Sequence, residues 1–160
     1  MKRYTAFVFL LICIFTVTGC NKVPAIDNQL ENTSKNKDVI VNNLPGVAID
    51  IKENTLSSKE AAIVVNNESE HSLTFGSVYS IEKEVDENWS KIPYVIQSVG
   101  WDSIGYEVLA NSSYEFETTN WEWLYGTLEA GKYRFIKDAS IGSGEDLVNY
   151  YFAVEFSLEE

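Results

Sequence analysis

Apolar and polar residues alternate with a period of two over most of the chain beyond its N-terminal region. Near the C-terminus Val148, Tyr150, Phe152, Val154, Phe156 and Leu158 fall on one face, and Asn149, Tyr151, Ala153, Glu155, Ser157 and Glu159 on the other. That spacing predicts a half-buried β-strand. Tyr114 and Phe116 alternate with Glu115 and Glu117 in the same way. Residues 60–66 (EAAIVVN) are apolar on both faces and predict a central strand. Residues 73–85 form a long run with Gly76 inside it, which predicts a bulge or the close approach of another backbone. A first strand at residues 38–42 remains open. Turn chemistry separates these runs at Asn66-Asn67, residues 86–88, Asn111-Ser112-Ser113 and Gly142-Ser143-Gly144. Nothing reads as a helix of three turns. Many short strands at regular spacing predict an all-β antiparallel sandwich or barrel.

The N-terminus has a different pattern. Met1-Lys2-Arg3 is a short positive start, and residues 6–17 are almost continuously apolar. A helix spanning a bilayer needs about 20 such residues, so the run suits the core of a signal peptide. It ends in Val17-Thr18-Gly19-Cys20, which resembles the lipobox of bacterial lipoproteins. That resemblance implies alkylation of Cys20 by diacylglycerol and cleavage before it, making residues 1–19 a signal peptide. The competing reading is an uncleaved anchor with Cys20 an ordinary thiol. Two acyl chains are what stable anchoring requires, since one gives only marginal membrane binding. With Cys13 discarded and Cys20 lipidated, the mature chain has no cysteine left for a disulfide.

Charge and composition then divide the mature chain. Loss of Lys2 and Arg3 leaves 10 basic against 24 acidic residues, a net −14. Residues 20–44 are balanced, so the excess lies in residues 45–160. Such a field repels nucleic acid and anionic headgroups, and no nucleic-acid partner is expected. Residues 21–43 are rich in Asn and Lys with scattered aliphatics, too few to repay ordering. Residues 20–44 are therefore expected to be a lipidated cysteine and polar tether, roughly 25–30 Å in r.m.s. span and at most about 80 Å extended. All four tryptophans lie in residues 45–160, which have the size of one domain.

A local motif favours the sandwich over the barrel. Leu128-Glu129-Ala130-Gly131-Lys132-Tyr133 fits Leu-x-x-Gly-x-Tyr and resembles the tyrosine corner of immunoglobulin-like domains, in which the tyrosine hydroxyl bonds back to the upstream backbone. Phe135 stands where antibody domains place the second disulfide cysteine. Over residues 61–138, Asn66-Asn67, Phe75-Gly76, Tyr79, Ile81-Glu82-Lys83, Trp89, Ile92-Pro93 and Gly131-Lys132-Tyr133-Arg134 together are similar to the bacterial immunoglobulin-like domain of lipoproteins from Bacillus-type bacteria. The resemblance implies an immunoglobulin-like antiparallel β-sandwich of about 7–9 strands over residues 45–160. It also implies an exported location, a Gram-positive type of envelope and no established enzymatic activity.

Candidate chemistry is sparse. The one histidine, His71, lies in a polar turn, and one base without a thiol supports neither a nucleophilic triad nor a zinc site. Glu84, Asp86, Glu87 and Asn88, and separately Asp138, Glu145 and Asp146, offer oxygen ligands for calcium but lack the EF-hand spacing. They read more simply as acidic turns of an acidic protein. Gly142-Ser143-Gly144 lacks the lysine of a phosphate loop. No cofactor or metal is expected, and an enzyme would be left with carboxylate chemistry alone.

The candidate binding surface is Trp121-Glu122-Trp123-Leu124-Tyr125. In an extended strand Trp121, Trp123 and Tyr125 project to one side, where aromatics anchor protein partners or stack on sugars. Burial of the tryptophans under the sandwich is the competing reading, and alternation does not choose between them. The expected function is a lipid-anchored, extracytoplasmic, non-catalytic binding module for an envelope protein. A carbohydrate-binding or carbohydrate-processing lipoprotein of the cell wall is the alternative.

Overall fold

The alternating runs close into antiparallel sheets that share one apolar interior. The computed structural model describes residues 40–116 and 118–160. The expected signal peptide, Cys20 and most of the expected tether lie outside the described residues.

The first sheet has the order β1-β3-β7, with β1 at Val47–Ile51, β3 at Ile63–Asn67 and β7 at Ser112–Glu115. A two-residue pair, β2 at Glu60–Ala61 with β8 at Thr119–Asn120, stands beside it. The second sheet runs β10-β9-β4-β5, and β6 pairs with the opening of β4. Here β4 is Leu73–Val85, β5 Asn88–Lys91, β6 Tyr106–Val108, β9 Gly131–Ile141 and β10 Val148–Leu158. Eight of these ten strands have three or more residues. The fold is an all-β immunoglobulin-like sandwich. One helical turn, α1 at Glu122–Tyr125, leads towards β9.

Period two is visible in burial. Phe152 and Phe156 of β10 are buried while Asn149, Tyr151, Glu155 and Ser157 are exposed. Two stacks of rings lie in the interior. Trp121, Phe156 and Tyr133 stack in series with centroids 5.6 and 5.5 Å apart. Phe135 stacks on Tyr79 at 5.2 Å, so a ring fills the place where antibody domains carry a cysteine. Tyr133 donates its hydroxyl to the carbonyl of Glu129 at 2.8 Å, four residues upstream.

The long strand β4 is irregular where Gly76 stands. Its register with β9 slips between Phe75 and Tyr79, so the carbonyls there lose their ladder partners. The β4–β5 hairpin turns on Asp86 and Glu87, whose φ values of 51° and 64° match the twist a two-residue hairpin demands. At the β9–β10 loop Gly142 has φ 86°, and a Cβ there would meet the Asp146 carbonyl oxygen at 2.5 Å, so glycine is required.

Two boundaries differ from expectation. Asn66 and Asn67 end strand β3 instead of forming the turn. Asn67 is 1% exposed; its amide donates to the carbonyls of His71 and Leu109 at 2.8 and 2.9 Å, holding the following turn to the end of β6. The domain's contacts also begin before residue 45. Asn42 donates its backbone N–H to the Tyr151 carbonyl at 2.8 Å, and its side chain exchanges two 2.9 Å bonds with the backbone of Ala153. The asparagine amide imitates a strand partner at the β10 edge, so Asn42 belongs to the fold and not to the tether. Residues 40–42 form no strand.

Candidate functional site

The aromatic segment is not the extended row its alternation suggested. Trp121 through Tyr125 winds into α1, and Trp121, Leu124 and Tyr125, at helical spacing, turn inward together. Trp121 is fully buried and donates its indole N–H to the Ser58 carbonyl at 3.1 Å. Tyr125 is buried, and its hydroxyl accepts the Ile81 N–H at 3.2 Å. These two are core residues, which corrects the expectation of a three-ring surface. Trp123 alone stays out, 49% exposed.

Trp123 nevertheless has company. The loop after β5 returns over α1 because Val95 donates its N–H to the Leu124 carbonyl at 2.8 Å. Tyr94 packs on Tyr125 at 5.2 Å, and Trp101 lies edge-on to Trp123 at 6.5 Å with the rings inclined by 61°. Tyr94 and Val95 are 40% and 64% exposed. The patch is thus Tyr94, Val95, Trp101 and Trp123. The neighbouring carboxylate, Glu122, is held by Lys59 at 2.8 Å and accepts from Thr127 at 3.2 Å. Those bonds, first of all the one from Lys59, hold Glu122 below the usual carboxylate range.

A second feature lies where β4 bulges. A pocket of about 280 Å³ opens between the sheets, walled by Ile63, Tyr79, Phe116 and Phe135. Tyr106 and Tyr114 line it further out, and Lys137 of β9 is its one cation. Lys137 is 5% exposed. Its ammonium donates to the Gly76 carbonyl at 2.6 Å and more weakly to that of Val78 at 3.4 Å, the carbonyls released by the bulge. It also sits 4.8 Å over the Phe116 ring. Burial pulls Lys137 down to about 8, against the smaller opposing pull of Asp138 and Asp102. Asp102 is itself fixed by Ser77, whose hydroxyl donates to it, and by the Ile104 N–H at 3.2 Å. Those bonds lower the Asp102 carboxyl. Burial raises the hydroxyl pKa of both Tyr79 and Tyr125.

The sequence carried a signal for this pocket that alternation alone supplies. Tyr133, Phe135, Lys137 and Ala139 form the inward series of β9, so a lysine stands at a core position. Such a lysine needs a polar partner inside, and the bulge provides it.

The other candidates stay apart. His71 is exposed. Glu84 is drawn to Lys132 at 3.4 Å, while Asp86, Glu87, Glu145 and Asp146 are exposed turn residues. Among the described residues no group of three His, Cys, Asp or Glu side chains is placed to hold a metal ion. On the outer face of the second sheet Arg134 donates to Glu82 at 2.7 Å and lies 4.8 Å over the Trp89 ring. This buried pair ties β9 to β4. Among the described residues no helix is long and apolar enough to cross a membrane.

Two antiparallel sheets around one core and a tyrosine-corner bond define an immunoglobulin-like domain. Residues 43–157 match the family described as bacterial Ig-like domain, and the chain belongs to it. No curated protein matches. Among solved structures, one described as a protein from Archaeoglobus fulgidus is 16% identical, covering 71% of this chain and 97% of its own with a TM-score of 0.32.

Proposed function

We propose that this chain is a non-catalytic binding module, held at the extracytoplasmic face of the cell membrane by lipid on Cys20, that engages an envelope protein through Tyr94, Val95, Trp101 and Trp123. The observation that carries this reading is the half-exposed Trp123, supported from beneath by Trp101 and flanked by exposed Tyr94 and Val95. A cluster of exposed apolar residues marks an interaction site more often than scattered apolar residues do, and tryptophan anchors dominate such sites energetically.

The polysaccharide alternative has less behind it. Two indoles inclined by 61° do not make one flat platform for successive sugar rings, and Glu122 is already committed to Lys59 and Thr127.

The test is site-specific photo-crosslinking in intact cells, with the photoreactive residue at position 123 and, as control, at exposed position 71. One envelope protein joined at 123 and not at 71 is expected, with the adduct lost when Trp101→Ala accompanies it. Adducts to wall glycan would favour the carbohydrate reading. Equal labelling at both positions would remove the patch from consideration.

A further inference from the structure

The pocket at the β4 bulge shares no lining residue with the aromatic patch and calls for its own account. Half of its lining residues are rings, with Ser77, Thr118 and Thr119 adding hydroxyls: Tyr79 and Phe135 stack on each other at 5.2 Å, and Phe116 meets Tyr106 and Tyr114 edge-to-face at 5.5 and 4.9 Å. Cavities of about 150 Å³ accept a benzene molecule, so about 280 Å³ holds one ring bearing a short polar arm. The one charged residue in the lining is Lys137. An ammonium has three N–H donors, and two of them point to the Gly76 and Val78 carbonyls. Those bonds fix the side chain in place, and among the described residues no carboxylate forms an ion pair with it.

We propose that this pocket is a binding site for a small organic carboxylate carrying a single aromatic or alicyclic ring, with the ring against Phe116 and Tyr79 and the carboxylate on the Lys137 ammonium. The acidity of the domain does not defeat this. Exposed carboxylates more than about 8 Å away are largely screened by physiological salt, whereas a contact inside a partly desolvated pocket is screened far less. Asp102 and Asp138 are the nearer opposing charges, and Asp102 already has Ser77 and the Ile104 N–H as partners. A bound carboxylate would also offset, by charge attraction, the burial that pulls Lys137 down to about 8.

The experiment is saturation-transfer NMR on the full chain in mild detergent with phenylacetate, its neutral isostere phenylacetamide and the cation phenethylamine as probes. Phenylacetate is expected to bind at least tenfold more tightly than either of the others. Lys137→Met should remove that preference. Because Lys137→Met also strips two carbonyls of a donor and can fail to fold, the unaltered chain supplies a second reading. Saturating phenylacetate should move backbone amide signals of residues 76–79, 116 and 137 and leave those of residues 94, 95 and 123 in place. Equal affinity for all three probes, no affinity for any, or shifts outside the pocket would overturn the assignment.

Discussion

Lys137 shows how one residue can be both a cost and a support. Its strand position turns it inward with Phe135 and Ala139, where an ammonium loses hydration. The β4 bulge leaves the Gly76 and Val78 carbonyls unpaired, and the same ammonium satisfies them. Burial dominates the titration: the pKa falls from 10.5 to about 8. In the unfolded chain the lysine regains its ordinary value, so from about pH 8 to 10.5 the unfolded state binds more protons and stability rises with pH. Below pH 8 the full cost of burying the charge is present. The unfolding free energy of the parent relative to Lys137→Met should therefore climb by about 2–3 kcal/mol between pH 7 and 10. Tyr79 and Tyr125, whose burial raises their pKa values, act only above about pH 10 and cancel in the comparison. Urea melts of both proteins across that range give the answer, and a difference independent of pH would show that Lys137 does not carry a buried charge.

Among the elements, those that were legible in the sequence are the ones with a long period or an unambiguous turn. β10 alternates over eleven residues, and the bulge expected at Gly76 is the register slip between Phe75 and Tyr79. At α1 the sequence leaves two readings open, because Trp121, Trp123 and Tyr125 share a face at period two while Trp121, Leu124 and Tyr125 share one at period 3.6. Five residues fit both templates, and only tertiary contacts such as the indole bond to Ser58 decide between them. Asn67 carries turn chemistry in the sequence because its amide builds the turn from the strand before it. The β4–β5 hairpin offers the cleanest test at this scale. Asp86 and Glu87 both hold positive φ, which costs a side-chain residue energy that glycine avoids. Glu87→Gly should stabilise the domain by about 0.5–1 kcal/mol, the reduced strain outweighing the entropy that glycine adds to the unfolded chain. An upward shift of the urea midpoint with an unchanged slope is the expected result; a downward shift would mean that the Glu87 side chain supports the turn in some other way.

At the scale of the whole molecule, the fold and the exposed aromatic patch differ in how far the sequence shows them. The fold follows from periodicity and the Leu128–Gly131–Tyr133 corner, because backbone pairing and burial are written into every residue. A binding patch depends on which rings the loops leave outside, and that is decided by contacts distant in sequence, such as Val95 on Leu124. The proposed lipid anchor rests on four residues ending at Cys20. If Cys20 carries diacylglycerol, two chains hold the domain stably at the bilayer; if the apolar run is merely an uncleaved anchor, the thiol is irrelevant. The two readings part on one substitution. Cys20→Ala should abolish incorporation of labelled fatty acid and leave the N-terminal segment uncleaved, detected as a larger chain, because lipidation precedes cleavage in the lipoprotein route. A parent of uncleaved mass that incorporates no fatty acid, indistinguishable from Cys20→Ala, would assign the anchoring to residues 6–17 and leave the domain's function to be sought without a lipid.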